Sequence, residues 1–125
     1  MEFIEAPVFA RQVSDYLADD EYRELQRQLA NNPDLGDLMP GTGGLRKLRW
    51  RDPRRGKGRR GGLRIIYYYF LADQQIWLMT LYGKGEASDL TPKEKKALQS
   101  AIETELHARQ AERLAKARKS RRTRS

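Results

Sequence analysis

The chain has 125 residues, no cysteine and a formal net charge of +8, from 25 Lys or Arg and 17 Asp or Glu residues. This length fits one domain with its own core. The absence of cysteine excludes disulfides and Cys-based metal or nucleophilic sites, and no apolar run approaches the roughly 20 residues that span a bilayer.

The start of the chain, Met1–Glu5, is short and acidic, which does not fit a signal peptide. Together with the lack of cysteine, this predicts a cytoplasmic protein without a membrane partner.

The positive charge is concentrated in two segments. Residues 46–64 contain ten basic residues and one acid, Asp52, and residues 108–125 contain eight basic residues and one acid, Glu112. These segments carry +9 and +7, so subtracting both from +8 leaves −8 for the rest of the chain. An acidic body with two strongly basic patches indicates a polyanionic partner, most often a nucleic acid.

The first third of the chain predicts a strand and two short helices. Residues 2–5 fit a short strand, and Pro7 suits the first turn of a helix. Apolar residues then recur at helical spacing, and an acidic run at residues 19–21 favours the start of a second helix. Asn31, Asn32 and Pro33 end that helix, so we expect a helical hairpin.

Residues 33–44 are rich in Gly and Pro and predict an ordered loop before the second strand. In that strand, alternation places Leu48 and Trp50 towards the helices and Lys47 and Arg49 on the opposite face. A basic, glycine-rich hairpin loop follows. The run from Leu63 to Phe70 predicts a central strand covered on both faces.

Residues 76–82 predict a fourth strand, and Thr91, Pro92 and Glu94 form a helix-start signal. The last helix has an apolar stripe that weakens after His107, an ordinary helix residue. These elements predict an α+β fold in the order β-α-α-β-β-β-α: a small, antiparallel-rich four-stranded sheet, an N-terminal helical hairpin and a long C-terminal helix. Residues 1–107 form the predicted domain and residues 108–125 a basic extension.

The residues favour RNA as the polyanion. No acidic cluster has the spacing of a metal site, and the chain shows no cofactor-binding motif. Cationic side chains are interleaved with aromatic ones on the predicted sheet, and these bind phosphates and stack on unpaired bases. We therefore expect Arg46 and the loop residues to bind RNA. The loop residues are Arg54, Arg55, Lys57, Arg59 and Arg60.

Three motifs in order carry a resemblance to a known family. They are PGTGGLRKLRW at residues 40–50, KGRRGGLRIIYY at residues 57–68, and LYGK at residues 81–84 followed by DLT at residues 89–91. Together they resemble the RelE/ParE superfamily of bacterial toxins, and most closely the HigB-type branch of RelE-like toxins. The resemblance covers residues 1–107.

This resemblance implies a type II toxin–antitoxin system whose toxin is a ribosome-dependent endoribonuclease that cuts mRNA and stops translation. It implies a cognate, DNA-binding, HigA-like antitoxin as partner. Carried over by position, it implies catalytic roles for Lys47, Arg49, Arg64 and Lys84. The family's catalytic tyrosine has no counterpart at residues 88–91, and Tyr82, the nearest phenol, is the candidate catalytic residue in its place.

These residues permit a reaction without a metal ion. The RNA 2′-OH attacks the adjacent phosphorus, Arg64 stabilises the developing phosphoryl charge, and Arg49 orients the phosphate. Lys47 or Lys84 accepts the proton. Two alternatives remain at this stage: a ParE-like toxin that inhibits DNA gyrase, and a non-enzymatic module that binds RNA or the ribosome.

Overall fold

The protein has an α+β fold of five strands and three helices in its computed structural model. The structure describes residues 1–52, 62–83 and 90–123, and it describes side chains as far as residue 121. In chain order the elements are β1 (Glu2–Glu5), α1 (Pro7–Tyr16), α2 (Asp19–Asn31), β2 (Asp37–Leu38), β3 (Arg46–Trp50), β4 (Leu63–Phe70), β5 (Gln75–Gly83) and α3 (Pro92–Thr123). A short 3-10 turn, Leu71–Asp73, joins β4 to β5.

The strands form one open, mixed sheet in the order β1-β5-β4-β3-β2. β1 runs parallel to β5, and the other neighbours are antiparallel. The prediction of four strands was wrong, because the two residues of β2 add a fifth strand by pairing with the start of β3. β4 lies in the centre of the sheet, as predicted.

One face of the sheet packs against α1 and α2. Phe9 and Val13 of α1 and Leu25 and Leu29 of α2 join a core with the inward residues of β3, β4 and β5. The predicted helical hairpin describes this layer only in part. The two helices are consecutive and meet where the rings of Phe9 and Tyr22 lie 5.9 Å apart, but α1 packs chiefly against β5.

The other face packs against α3. Leu98, Ile102 and Leu106 form the buried stripe of the helix and contact a second core that includes Ile66 and Phe70 of β4. The helix begins as predicted: the Glu94 backbone N–H donates to Thr91 Oγ1 at 3.1 Å, and the Thr91 N–H donates to Glu94 Oε1 at 3.0 Å. β4 is therefore covered on both faces over part of its length.

α3 continues through the predicted boundary at residues 107 and 108 and ends at Thr123. At 1.5 Å per residue its 32 residues extend for about 48 Å. Among the described helices, none is both apolar enough and long enough to traverse a lipid bilayer.

Candidate functional site

Three of the predicted site residues form a row across the middle of the sheet. Arg49 of β3 pairs with Arg64 of β4, and Arg64 pairs with Tyr82 of β5. Residues that pair directly in an antiparallel sheet project from the same face, with Cβ atoms about 4.5–5.5 Å apart. The row therefore spans about 10 Å on the face that α3 partly covers.

Lys47 lies on the same face as this row. It pairs with Ile66, a member of the core beneath α3, and stands two residues from Arg49 on the same strand. Because Arg49 pairs with Arg64, Lys47 is the diagonal neighbour of Arg64. Diagonal neighbours on adjacent strands lie about 7–8 Å apart, within reach of long side chains. The alternation inferred for β3 is confirmed, since Leu48 and Trp50 pack on the opposite side with α1 and α2.

A β-bulge places Tyr82 on this face. Ile66 pairs with Thr80 and Tyr67 pairs with Leu78, so β5 contains one extra residue at Met79. Without that residue, alternation from the inward-facing Leu78 would turn Tyr82 towards α1 and α2. Bulges commonly redirect a side chain beside an active site. Here the bulge aligns the tyrosine with Arg64, and no pattern in the sequence of β5 revealed it.

The exposure of these side chains differs across the row. Arg49 is exposed, Arg64 and Lys47 are half-buried, and Tyr82 is buried in the core beneath α3. The Arg64 Nη1 donates to the carbonyl oxygen of Leu63 at 3.3 Å, and a guanidinium has five N–H donors in all. The row thus presents two guanidinium groups to solvent above a buried phenol.

Arg49 also borders the free edge of β3, because β2 pairs only with Arg46 and Lys47. There it lines a shallow cleft with Glu24, Gln28, Trp50 and Arg51. Arg49 therefore stands between Arg64 and Glu24 of α2, and it is the most exposed of the predicted site residues that the structure describes.

Arg46 projects from the other face of the sheet. Its Nη1 donates to the carbonyl oxygen of Gly36 at 2.7 Å, and its Nη2 lies 3.2 Å from Asp34 Oδ1. It pairs with Tyr67, whose hydroxyl bonds to the same loop. These contacts tie Arg46 to the scaffold and separate it from Lys47 and Arg64. Its role as an RNA contact stays a prediction.

Lys84 and the basic residues of the hairpin loop lie outside the described residues; the loop residues are Arg54, Arg55, Lys57, Arg59 and Arg60. The described ends of that loop are close together. Trp50 pairs with Leu63, next to the Arg49–Arg64 pair, and a Cβ added to Gly62 would lie 2.7 Å from the Cβ of the fully buried Asp52. The loop therefore starts and ends beside the row.

The chain matches none of the known protein-family models. The candidate site is defined by the side chains that the sheet brings together and by the motifs in the sequence. Within residues 1–52, 62–83 and 90–123, no three His, Asp or Glu side chains are grouped so that they would hold a metal ion.

Proposed function

We propose that the protein is a RelE-like toxin of a type II toxin–antitoxin system and acts as a ribosome-dependent, metal-independent endoribonuclease on mRNA. The observation that supports this most is the placement of Lys47, Arg49, Arg64 and Tyr82 on one face of three adjacent strands. Their order and motifs are those that resemble RelE-like toxins. In this proposal the protein works in the cytoplasm and a HigA-like antitoxin neutralises it.

The reaction we propose is an attack by the RNA on itself. The 2′-oxygen forms a bond to the adjacent phosphorus while the bond from phosphorus to the 5′-oxygen breaks. The products are a 2′,3′-cyclic phosphate and a 5′-hydroxyl. A base accepts the 2′-OH proton and an acid returns a proton to the leaving 5′-oxygen.

Arg64 is placed to stabilise the charge that grows on the phosphoryl oxygens. It lies at the centre of the row, and a planar guanidinium binds a phosphate through two parallel hydrogen bonds. Arg49 orients the phosphate from the neighbouring strand. Lys47 and Lys84 are the candidates for accepting the 2′-OH proton, and Tyr82 is the candidate acid.

Replacing Arg64 with Ala tests this proposal. Loss of a group that stabilises transition-state charge lowers the rate by about 10²–10³-fold. Arg64→Ala should therefore abolish growth arrest on induction and slow mRNA cleavage in a reconstituted translation reaction to that extent. Arg64→Lys should recover part of the rate, since lysine restores the positive charge but lacks the paired N–H donors of a guanidinium.

The matched control is Arg23→Ala, which removes an exposed arginine from α2 on the opposite side of the sheet. It should keep full toxicity, and both alanine variants should melt within a few degrees of the original protein. Full toxicity of Arg64→Ala would remove this residue from the mechanism. Intact mRNA with inhibited gyrase would instead support a ParE-like toxin, and bound but uncut mRNA a non-enzymatic module.

A further inference from the structure

The last part of α3 extends beyond the body of the protein. Every side chain from Gln110 to Arg121 is exposed, although the helix continues to Thr123. We call residues 110–123 the projecting segment. Its 14 residues extend for about 21 Å at 1.5 Å per residue.

Arg109 anchors α3 immediately before the projecting segment begins. Its guanidinium carbon lies 3.9 Å from the centre of the Phe70 ring and 5.4 Å from that of Trp77. Its Nη1 donates to Asp73 Oδ2 at 2.8 Å, and its Nη2 donates to Gln75. Only 14% of this side chain is exposed. Arg113 Nη2, in the first turn of the projecting segment, also lies 3.6 Å from Asp73 Oδ2. The projecting segment therefore leaves the body from a point fixed by Arg109 and Arg113.

The projecting segment carries a net charge of +5, from six basic residues and Glu112. Successive helical residues are 100° apart, so the basic positions are distributed around the whole helix; they are Arg113, Lys116, Arg118, Lys119, Arg121 and Arg122. Lys116 Nζ lies 3.8 Å from Glu112 Oε1, an exposed ion pair. Several of the basic residues are nevertheless three or four residues from one another, and such like-charged pairs destabilise a helix. A polyanion that neutralises them would stabilise the segment.

We propose that the projecting segment is a second RNA-binding surface, which takes the phosphate backbone of folded, base-paired RNA. It contains no aromatic residue to stack on unpaired bases. Recognition through phosphates and shape is the usual mode for double-stranded RNA. The even distribution of charge also provides no apolar stripe for a protein groove.

This surface is distinct from the row on the sheet. The anchor lies at Phe70, six residues along β4 from Arg64, which corresponds to about 20 Å. One phosphate cannot touch both. The inference rests on the proposed function for its biological setting, since a ribosome presents folded RNA, while the binding itself requires no cleavage.

A salt titration tests the proposal. The probe is a fluorescent RNA hairpin, 2′-O-methylated throughout so that its 2′-oxygens cannot attack. The test variant replaces four basic residues with Gln, a good helix former; the four are Lys116, Arg118, Lys119 and Arg121. The matched control removes the same charge from exposed positions on the body; these are Arg11, Arg23, Lys93 and Lys96.

The test variant should bind the hairpin at least about tenfold more weakly near physiological salt, and the slope of log affinity against log salt should fall by about 3 to 4. The control variant should lose much less affinity for the hairpin. Lys replacements of Arg118 and Arg121 keep the charge and should keep the binding, which separates charge loss from helix loss.

Equal losses in the test variant and the control would overturn the proposal, because net charge alone would then explain binding. Tighter binding to polyglutamate than to the hairpin would also overturn it, in favour of an acidic protein partner. Hairpin binding that depends on the projecting segment, in a protein that cuts no mRNA, would support this inference and refute the proposed nuclease. If the original protein cuts mRNA and the test variant still binds the hairpin as tightly, the proposed nuclease would be supported and this inference would be refuted.

Discussion

Replacing Tyr67 with Phe should destabilise the protein without touching the row on the sheet. The Tyr67 side chain is fully buried, on the face opposite Lys47 and Arg64. Its hydroxyl donates to the carbonyl oxygen of Pro33 at 2.7 Å and accepts the N–H of Gly36 at 2.8 Å. One oxygen atom therefore ties the loop before β2 to the central strand.

The cost of removing this hydroxyl follows from the two groups that it satisfies. Gly36 is buried, and a buried N–H without a partner costs about 1–3 kcal/mol. The carbonyl of Pro33 is only half-buried, so water can replace part of its bond, at a cost nearer about 0.5–1 kcal/mol. We expect a total loss of about 1.5–4 kcal/mol.

Urea unfolding measures this loss. With a slope of about 2 kcal/mol per molar, the midpoint should fall by roughly 0.8–2 M. Tyr69→Phe is the matched control, because the Tyr69 hydroxyl accepts an exposed bond from Gln74, and the loss of that bond should cost less than about 0.5 kcal/mol. Equal midpoints for the two variants would refute the role assigned to Tyr67. The folded Tyr67→Phe variant should keep its mRNA cleavage rate.

Two further variants probe other parts of the scaffold. Gly44 has φ of 114°, and a Cβ there would lie 3.0 Å from Cε2 of Tyr68, so Gly44→Ala should cost about 1–3 kcal/mol. Gly41→Ala is the comparison, and urea unfolding should show a smaller loss of stability than for Gly44→Ala. Gly41 also has a positive φ, but a Cβ added there would have no atom within 4 Å. The hydrogen bond from Arg109 lowers the pKa of Asp73. The stability that this ionised carboxylate contributes is therefore fully present above the unfolded pKa of about 3.9, and it disappears as pH falls through the lower folded pKa. The urea midpoints of the original protein and Asp73→Asn should therefore converge as pH falls from neutral to below the folded pKa of Asp73, and a constant gap would contradict this.

The faces of β3 were predictable from the sequence because side-chain alternation is a property of the strand itself. Leu48 and Lys47 lie on opposite faces, as expected. Tyr82 shows the limit of this reasoning. Its face depends on the extra residue at Met79, and the bulge is visible only in the pairing of β5 with β4.

The fifth strand was not predictable for a related reason. β2 consists of Asp37 and Leu38, both exposed, and forms only through backbone bonds to β3. A two-residue edge strand has no side-chain period to detect. The parallel pairing of β1 with β5 is likewise a long-range property that no local pattern records.

The continuation of α3 past His107 was only partly foreseen. The apolar stripe weakens there, because the residue that next holds the helix to the body is an arginine. Arg109 packs on Phe70 and bonds to Asp73, residues that lie more than thirty positions earlier in the chain. Spacing rules based on apolar residues miss an anchor of this kind, in which a cation packs on an aromatic ring.

The chemical ends of cut mRNA test the central claim most directly. Fragments from a translation reaction containing the purified protein are mapped, and their termini are identified by whether a kinase or a phosphatase must act before ligation. Attack by the 2′-oxygen predicts codon-phased cuts with 2′,3′-cyclic phosphates and 5′-hydroxyls, and loss of these cuts in Arg64→Ala. Fragments with 5′-phosphates and 3′-hydroxyls, or cuts that persist in Arg64→Ala, would contradict the account.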